Sequence, residues 1–428
     1  SVPPLRTAGP LRLAGDLPLP QAAGFPVDGA LPGAEAGDEE ASSVRLGSGA
    51  TGGRAGEREA ARGGAAAGFG SARERAIDRV EAPPEKVASR DPLVVVEDLR
   101  VYFPVRRGLF RRAAVKAVDG VTLSIRPGET LAVVGESGSG KTTLGRATLG
   151  LVKATGGRVD FDGRPIAGLS GPDEKRFRRR AQAVFQDPYA SMSPFMTVRE
   201  IVEEPLVVHG IGESRKAREE AVRRALEQVN LAPAAEFAAK YPHNLSGGQR
   251  QRVSIARALV LDPEYIVADE PVSMIDASSR SEILSLMRRL QVEKGIAFMY
   301  ITHDIASARH FADRIAIMYL GAIAELGPAE RVIERPFHPY AKALLETVPQ
   351  PDPENRLRLR PVIPGEPPSA VDVPAGCPFA ARCPEMIKGT CDVVRPQPRE
   401  VEPGRWVACH LVEAGKAEAG KAEAGKGR

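Results

Sequence analysis

Apolar residues recur along this chain in two rhythms, and their order describes a mixed α/β architecture. Short apolar runs of strand length stand at 93–99, 101–103, 121–125, 130–134, 183–185, 265–268 and 296–301. Their β-branched content, and the Gly, Pro and Asp residues that bound them, favour extended backbone. Between Glu213 and Val229 the apolar positions fall instead at 217, 221, 222, 225, 226 and 229, which is a helical period. Helix starts are marked as well. Ser170 precedes Asp173 and Glu174, Thr197 precedes Glu200 in capping-box spacing, 250–259 reads as helix, and a further helix runs from about Ser279. Residues 159–166 and 315–326 read as hairpins.

Outside this region the pattern fails. Residues 1–90 are rich in Ala, Gly, Pro and Arg, with Phe25 and Phe69 as their aromatics. Such a stretch buries too little apolar surface to offset its ordering entropy, so a disordered extension is expected. Residues 413–428 repeat Ala-Glu-Ala-Gly-Lys and read as a solvated low-complexity tail. From about Pro349 the chain turns Pro-rich and gathers its four cysteines, Cys377, Cys383, Cys391 and Cys409.

Charge removes some function classes. With 59 Lys and Arg against 55 Asp and Glu, the balance points to no polyanionic partner, so nucleic acid is not expected. Arg106, Arg107, Arg111 and Arg112, and the run Arg178, Arg179 and Arg180, read as solvated faces. No apolar run approaches the roughly 20 residues that cross a bilayer, and no secretory signal pattern is present, so a cytoplasmic protein is expected.

The strand at 130–134 runs into Gly135, Glu136, Ser137, Gly138, Ser139, Gly140, Lys141, Thr142 and Thr143, where a helix opens. Glycines at this spacing let backbone N–H groups curl around phosphates, Lys141 reaches the β- and γ-oxygens, and the Thr142 hydroxyl ligates Mg²⁺. The strand at 265–268 leads into Asp269 and Glu270. Asp269 is thereby placed near the Mg²⁺ shell, and Glu270 can polarise water for attack on the γ-phosphorus. His303 and Gln186 also follow strands, on the edge where parallel sheets gather ligands. His303 suits a γ-phosphate contact, and Gln186 suits both Mg²⁺ and the attacking water. A second phosphate-binding signal stands at Leu245, Ser246, Gly247, Gly248 and Gln249, at the positive end of the helix that follows. Two such sites in one ATPase domain require two nucleotides, or two chains that share each nucleotide.

These residues resemble those of the ATP-binding cassette (ABC) ATPases over roughly residues 92–345. The resemblance implies an α/β fold with a P-loop NTPase (RecA-like) core, an antiparallel β subdomain and an α-helical insertion at about 189–245, within a nucleotide-binding domain of residues 91–345. It implies a nucleotide sandwich in which residues 245–249 act on the ATP held by a second chain. Glu270, His303 and Gln186 are then the catalytic set, Thr142, Gln186 and Asp269 the Mg²⁺ ligands, and Asp276 the D-loop aspartate. Phe103 matches the aromatic that stacks on adenine, with Tyr102 as runner-up. Met274 and Ile275 depart from the usual D-loop residues.

Several phrases narrow the resemblance to ATPases of dipeptide and oligopeptide importers: 185–191, 241–243, 336–340, 364–369, 376–384 and 406–410. That resemblance implies a second ATPase subunit, a paralogue rather than a copy, with two integral-membrane permease subunits and an extracytoplasmic substrate-binding protein. It places the chain on the cytoplasmic face of the cell membrane. The same machinery importing oligosaccharides or nickel, and a soluble ABC ATPase outside transport, remain as alternatives. Residues 346–412 are expected to form a small Cys-rich C-terminal domain. Thiolates at these spacings suggest a metal staple but do not choose the metal. The resemblance implies a [4Fe-4S] cluster, with zinc or unligated thiols as the other readings.

Overall fold

A computed structural model describes residues 91–107, 111–347, 365–366 and 368–412. The extension expected at 1–90 and the tail at 413–428 lie outside the described residues. The chain builds two sheets. The antiparallel one has the order β2-β1-β4-β5, from β1 (Val94–Arg107), β2 (Arg111–Ile125), β4 (Gly156–Phe161) and β5 (Arg164–Pro165). β1 crosses β2 with Val94 opposite Ile125 and Phe103 opposite Val115. It is one strand with bulges, where two runs are expected from the sequence.

The second sheet has the order β11-β12-β10-β9-β3-β8-β7-β6. Its parallel part is β6 (Ala181–Val184), β7 (Tyr265–Asp269), β8 (Ala297–Thr302), β3 (Thr130–Val134) and β9 (Arg314–Tyr319). Every residue of β3, β7 and β8 is buried, as befits parallel strands covered on both faces. The two-residue period of a strand then assigns each side chain to a core. Leu131 and Val133 of β3 join Val94, Val96, Val267 and Met299 beneath the antiparallel sheet. Ala132 and Val134 join Ile266, Phe298 and Tyr300 on the opposite face.

The strands are connected by helices, among them α1 (Lys141–Thr148), α2 (Gly171–Arg180), α3 (Val198–His209), α4 (Arg215–Gln228), α5 (Ala234–Ala238), α6 (Gly247–Leu259), α7 (Ala277–Lys294), α8 (Ile305–Phe311), α9 (Ala329–Glu334) and α10 (Pro339–Glu346). α3 to α5 lie within the stretch 189–245 expected as a helical insertion. Its first helix starts where the sequence marks it, with the Thr197 side chain accepting from Glu200 N and Glu200 reaching back to Thr197 N.

The Cys-bearing region departs from its expected form. It is not a separate domain but part of the main sheet and core. β11 (Arg399–Glu402) pairs with β12 (Arg405–Val407), and β12 adds to β10 (Ala322–Pro328) with Leu326 opposite Trp406. Cys377, Phe379, Ala380 and Cys391 belong to the same apolar cluster as Tyr319 and Tyr340. So short a segment cannot build its own core and borrows an existing one. A buried ion pair pins it. Arg405, 1% exposed, places Nη2 at 2.6 Å from Oε1 of the fully buried Glu325, which also accepts from Phe337 N and His338 N at 3.0 and 2.8 Å. Losing one partner of such a pair costs about 3–5 kcal/mol, because the other charge stays buried.

His338 caps α10, its Nδ1 accepting from Tyr340 N at 3.0 Å. Burial pulls its pKa down from 6.5 to about 4. The folded protein therefore takes up this proton less readily than the unfolded chain. Stability is whole above pH 6.5 and declines as pH falls toward 4. In urea unfolding, the parent should lose about 2 kcal/mol more than His338→Asn between pH 7 and 5, since Asn keeps a capping acceptor without the titration. Equal losses would contradict the buried neutral imidazole.

Candidate functional site

Strands β3, β8, β7 and β6 are consecutive neighbours, and their C-terminal ends deliver the expected site residues to one edge of the sheet. The loop after β3 has little steric freedom. A Cβ on Gly135 would lie 2.1 Å from Met318 O, and one on Gly140 would lie 1.9 Å from Ala117 O. Gly140 also has φ of 102° as the N-cap of α1, a left-handed conformation that favours glycine. Glu136, Ser137, Gly138 and Ser139 complete the loop, with Gly138 at φ 78°.

Lys141 opens α1 with 5% exposure. Its Nζ donates to Gly135 O and Glu136 O, both at 2.8 Å, and to Ser139 Oγ at 3.4 Å. Burial lowers its pKa, and the charges of Glu270, Asp269 and Glu136 oppose that shift. Thr142 Oγ1 donates to Asp269 Oδ1 at 3.0 Å. Burial raises the Asp269 pKa, and the Thr142 hydrogen bond works against it. Thr143 follows within the first turn of α1.

Glu270 sits just beyond β7 with φ 46°, unusual for a non-glycine residue, and its N–H is held by Ile301 O at 2.9 Å. Its carboxylate gathers the other expected catalytic residues. Gln186 Nε2 donates to Glu270 Oε2 at 2.9 Å, and His303 Nδ1 stands 3.1 Å from Oε1. Three residues separated by dozens of positions thus share one carboxylate, on the same edge as Thr142 and Asp269. These oxygen donors fit Mg²⁺, which takes one or two carboxylates and draws its remaining ligands from phosphate and water.

Phe103 and Tyr102 separate on β1. Tyr102 hydrogen-bonds Asp119 and lies beneath Lys116, whereas Phe103 is 41% exposed. Tyr102 is thus engaged, and Phe103 remains the open aromatic face. A cleft of about 720 Å³, lined in part by Tyr102, Asp119, Arg395 and Trp406, contains none of the phosphate-loop residues.

The glycine pentapeptide lies elsewhere. α6 begins at Gly247, three residues before the helix read from the sequence. Ser246 Oγ accepts from Gln249 N at 3.2 Å and Gln249 Oε1 accepts from Ser246 N at 3.0 Å. A Cβ on Gly248 would meet Ser279 Oγ at 2.9 Å, so α6 abuts the start of α7. There Asp276 caps α7 through Ser279 N at 2.9 Å, its pKa lowered to about 2 chiefly by the Ser278 hydroxyl. α6 packs on α3, α4, α7 and β6, while α1 packs on β1, β2, β7 and β8. Among the described residues, no hydrogen bond links Leu245–Gln249 to the phosphate loop.

Two contacts to the loop escaped the sequence reading. Tyr340 Oη accepts from Glu136 N at 3.0 Å, and Arg382 pairs with the Glu136 carboxylate at 2.8 and 3.2 Å. Their partners lie 204 and 246 positions away, and no local pattern signals such contacts. The four cysteines line one small cavity, with burial raising the pKa of Cys377, Cys383 and Cys409. Yet among the described residues no group of three or more His, Cys, Asp or Glu is arranged to hold a metal ion. The expected cluster ligands share that one cavity.

A family described as "ABC transporter" matches residues 118–273, and one described as "Oligopeptide/dipeptide transporter, C-terminal region" matches residues 324–391. The oligopeptide transport ATP-binding protein AppF of Bacillus subtilis is 44% identical over 328 residues, 76% of this chain and 98% of that protein. YkfD of the same organism is 48% identical over 323 residues, 75% of this chain and 96% of that protein. Among solved structures, CbiO1 of Clostridium perfringens, described as part of the ABC transporter complex CbiONQ, superposes with a TM-score of 0.50 at 29% identity. That match covers 57% of this chain and 92% of the other.

The crowding at Gly140 yields a direct expectation. Gly140→Ala should weaken ATP binding at least tenfold in calorimetric titration while circular dichroism retains the parent helix content, because the strain is confined to one loop. Undiminished ATP binding would contradict the close backbone approach.

Proposed function

The chain belongs to the oligopeptide-type ATP-binding proteins of ABC transporters, and from that membership we infer how its groups divide the work of ATP hydrolysis. It is an ATPase that supplies energy for peptide import. ATP lies along the loop 135–143, its phosphates facing the backbone N–H groups and the buried Lys141 ammonium, with Phe103 against adenine. When bound, Mg²⁺ would lower the charge of the phosphate oxygens, and Thr142, Asp269 and Gln186 are the residues that would hold it.

Water attacks the γ-phosphorus, the bond to the β–γ bridging oxygen breaks, and ADP leaves. The Glu270 carboxylate takes the water proton. Gln186 and His303 fix that carboxylate from its two oxygens, and His303 also meets the γ-phosphate. Leu245–Gln249 and Asp276 complete the nucleotide site of a second ATPase chain. The second chain is a paralogue. The pair works with two permease subunits at the cytoplasmic membrane face and with an extracytoplasmic binding protein. The insertion α3–α5 and residues 186–200 meet the permeases. Among the described residues, no helix is long and apolar enough to cross a membrane.

A [4Fe-4S] cluster or zinc on Cys377, Cys383, Cys391 and Cys409 draws support from the soft thiol donors and their shared cavity. The donors are not drawn into a ligand set as they stand.

The observation that carries the hydrolytic reading is the convergence of Gln186 and His303 on Glu270. Glu270→Gln should keep ATP affinity within about threefold of the parent and lose at least about a hundredfold in hydrolysis rate, measured by phosphate release. Hydrolysis at the parent rate would remove Glu270 from the base role.

A further inference from the structure

A phosphate loop that must wrap a polyanion carries a carboxylate here, and the structure shows how that charge is managed. Glu136 lies inside the loop, and its side chain is about a quarter exposed. Arg382, 6% exposed, meets it in a bidentate pair, with Nη1 at 2.8 Å from Oε2 and Nη2 at 3.2 Å from Oε1. The guanidinium is itself positioned, because Nη1 also donates to Tyr319 Oη at 3.3 Å and the group lies 5.8 Å from the Tyr319 ring. Behind it the Cys-bearing segment is braced. Cys377 N donates to Cys391 O at 2.7 Å, Arg395 pairs with Asp119 on β2, and Arg405 is buried against Glu325.

We propose that Arg382 is a positioning residue of the nucleotide site. By neutralising and clamping Glu136 it makes the phosphate loop able to accept a triphosphate, so the C-terminal segment forms part of the ATP site. The effect is electrostatic. A bare carboxylate in the loop repels the phosphates, most strongly the more highly charged ATP, whereas a paired one does not. The bidentate fork also fixes the carboxylate's direction, which a monodentate cation would not. This rests on the reading of residues 135–143 as the ATP site.

Calorimetric titration of the full-length chain with ATP and with ADP tests it. Arg382→Gln should weaken ATP binding about tenfold and ADP binding less, with a larger effect at low salt. Glu136→Gln should instead tighten ATP binding severalfold, and the double variant should return close to the parent. A merely structural contact predicts a different pattern, in which both single variants weaken ATP and ADP alike. That result, or parent affinity in Arg382→Gln, would overturn the proposal. If Arg382→Gln fails to fold, the sign for Glu136→Gln decides alone: tighter ATP binding supports the pairing, and equal or weaker binding overturns it. A parent chain that binds neither nucleotide would overturn the reading of the site itself.

Discussion

The buried Lys141 ammonium is the interaction around which the site is organised. A cation this deep is unfavourable by itself, and burial works to strip its proton. Asp269 and Glu270, carried to it by β7, and Glu136 within the loop oppose that loss. Parallel pairing of β3, β8 and β7 is what brings a loop lysine and two carboxylates 128 and more positions apart to one edge. The register of those strands is therefore as much a functional requirement as a structural one. Slippage by one residue would turn Leu131 and Val133 out of their core and move every site group with them.

That arrangement explains why the segment after residue 365 is integrated rather than separate. Gly135 approaches Met318 O, Tyr340 Oη accepts from Glu136 N, and Tyr319, Tyr340 and Phe379 meet in tilted and edge-on contacts at ring distances of 4.7 to 5.3 Å. β9, α10 and the Cys-bearing segment thus form the wall behind the phosphate loop. Arg382 and Glu325–Arg405 are two charged joints in the same wall, one facing the loop and one deep in the sheet.

What the sequence disclosed follows from the physics of each element. β3, β7 and β8 were legible because strands buried on both faces read as unbroken apolar runs. The phosphate loop was legible because its glycines answer to local geometry at Gly135 and Gly140. The first half of β2 was not, since Arg111 to Val118 has weak alternation and depends on pairing with β1. The β11–β12 hairpin was hidden for a similar reason: its charged residues become strand through β10 and the Arg405–Glu325 pair, 80 positions apart. The start of α6 was misplaced because Gly247 and Gly248 are poor helix formers, overridden by the Ser246–Gln249 capping box. Lys141, Thr142, Asp269, Glu270, Gln186 and His303 could be nominated from strand ends. Arg382 and Tyr340 could not, because only the folded chain brings them to Glu136.

We propose that each ATP is shared, with the loop of one chain facing the pentapeptide of another. The most direct measurement combines Ser246→Arg in this chain with removal of the phosphate-loop lysine from one chain or the other in the assembled transporter, and counts trapped nucleotide. Sharing predicts that Ser246→Arg with Lys141→Ala in the same chain damages both sites and traps none. Placing the lysine change in the partner chain should leave one intact site and one trapped nucleotide. The reverse result, with an intact site surviving the same-chain combination, would mean that each chain serves its own nucleotide and would contradict the account.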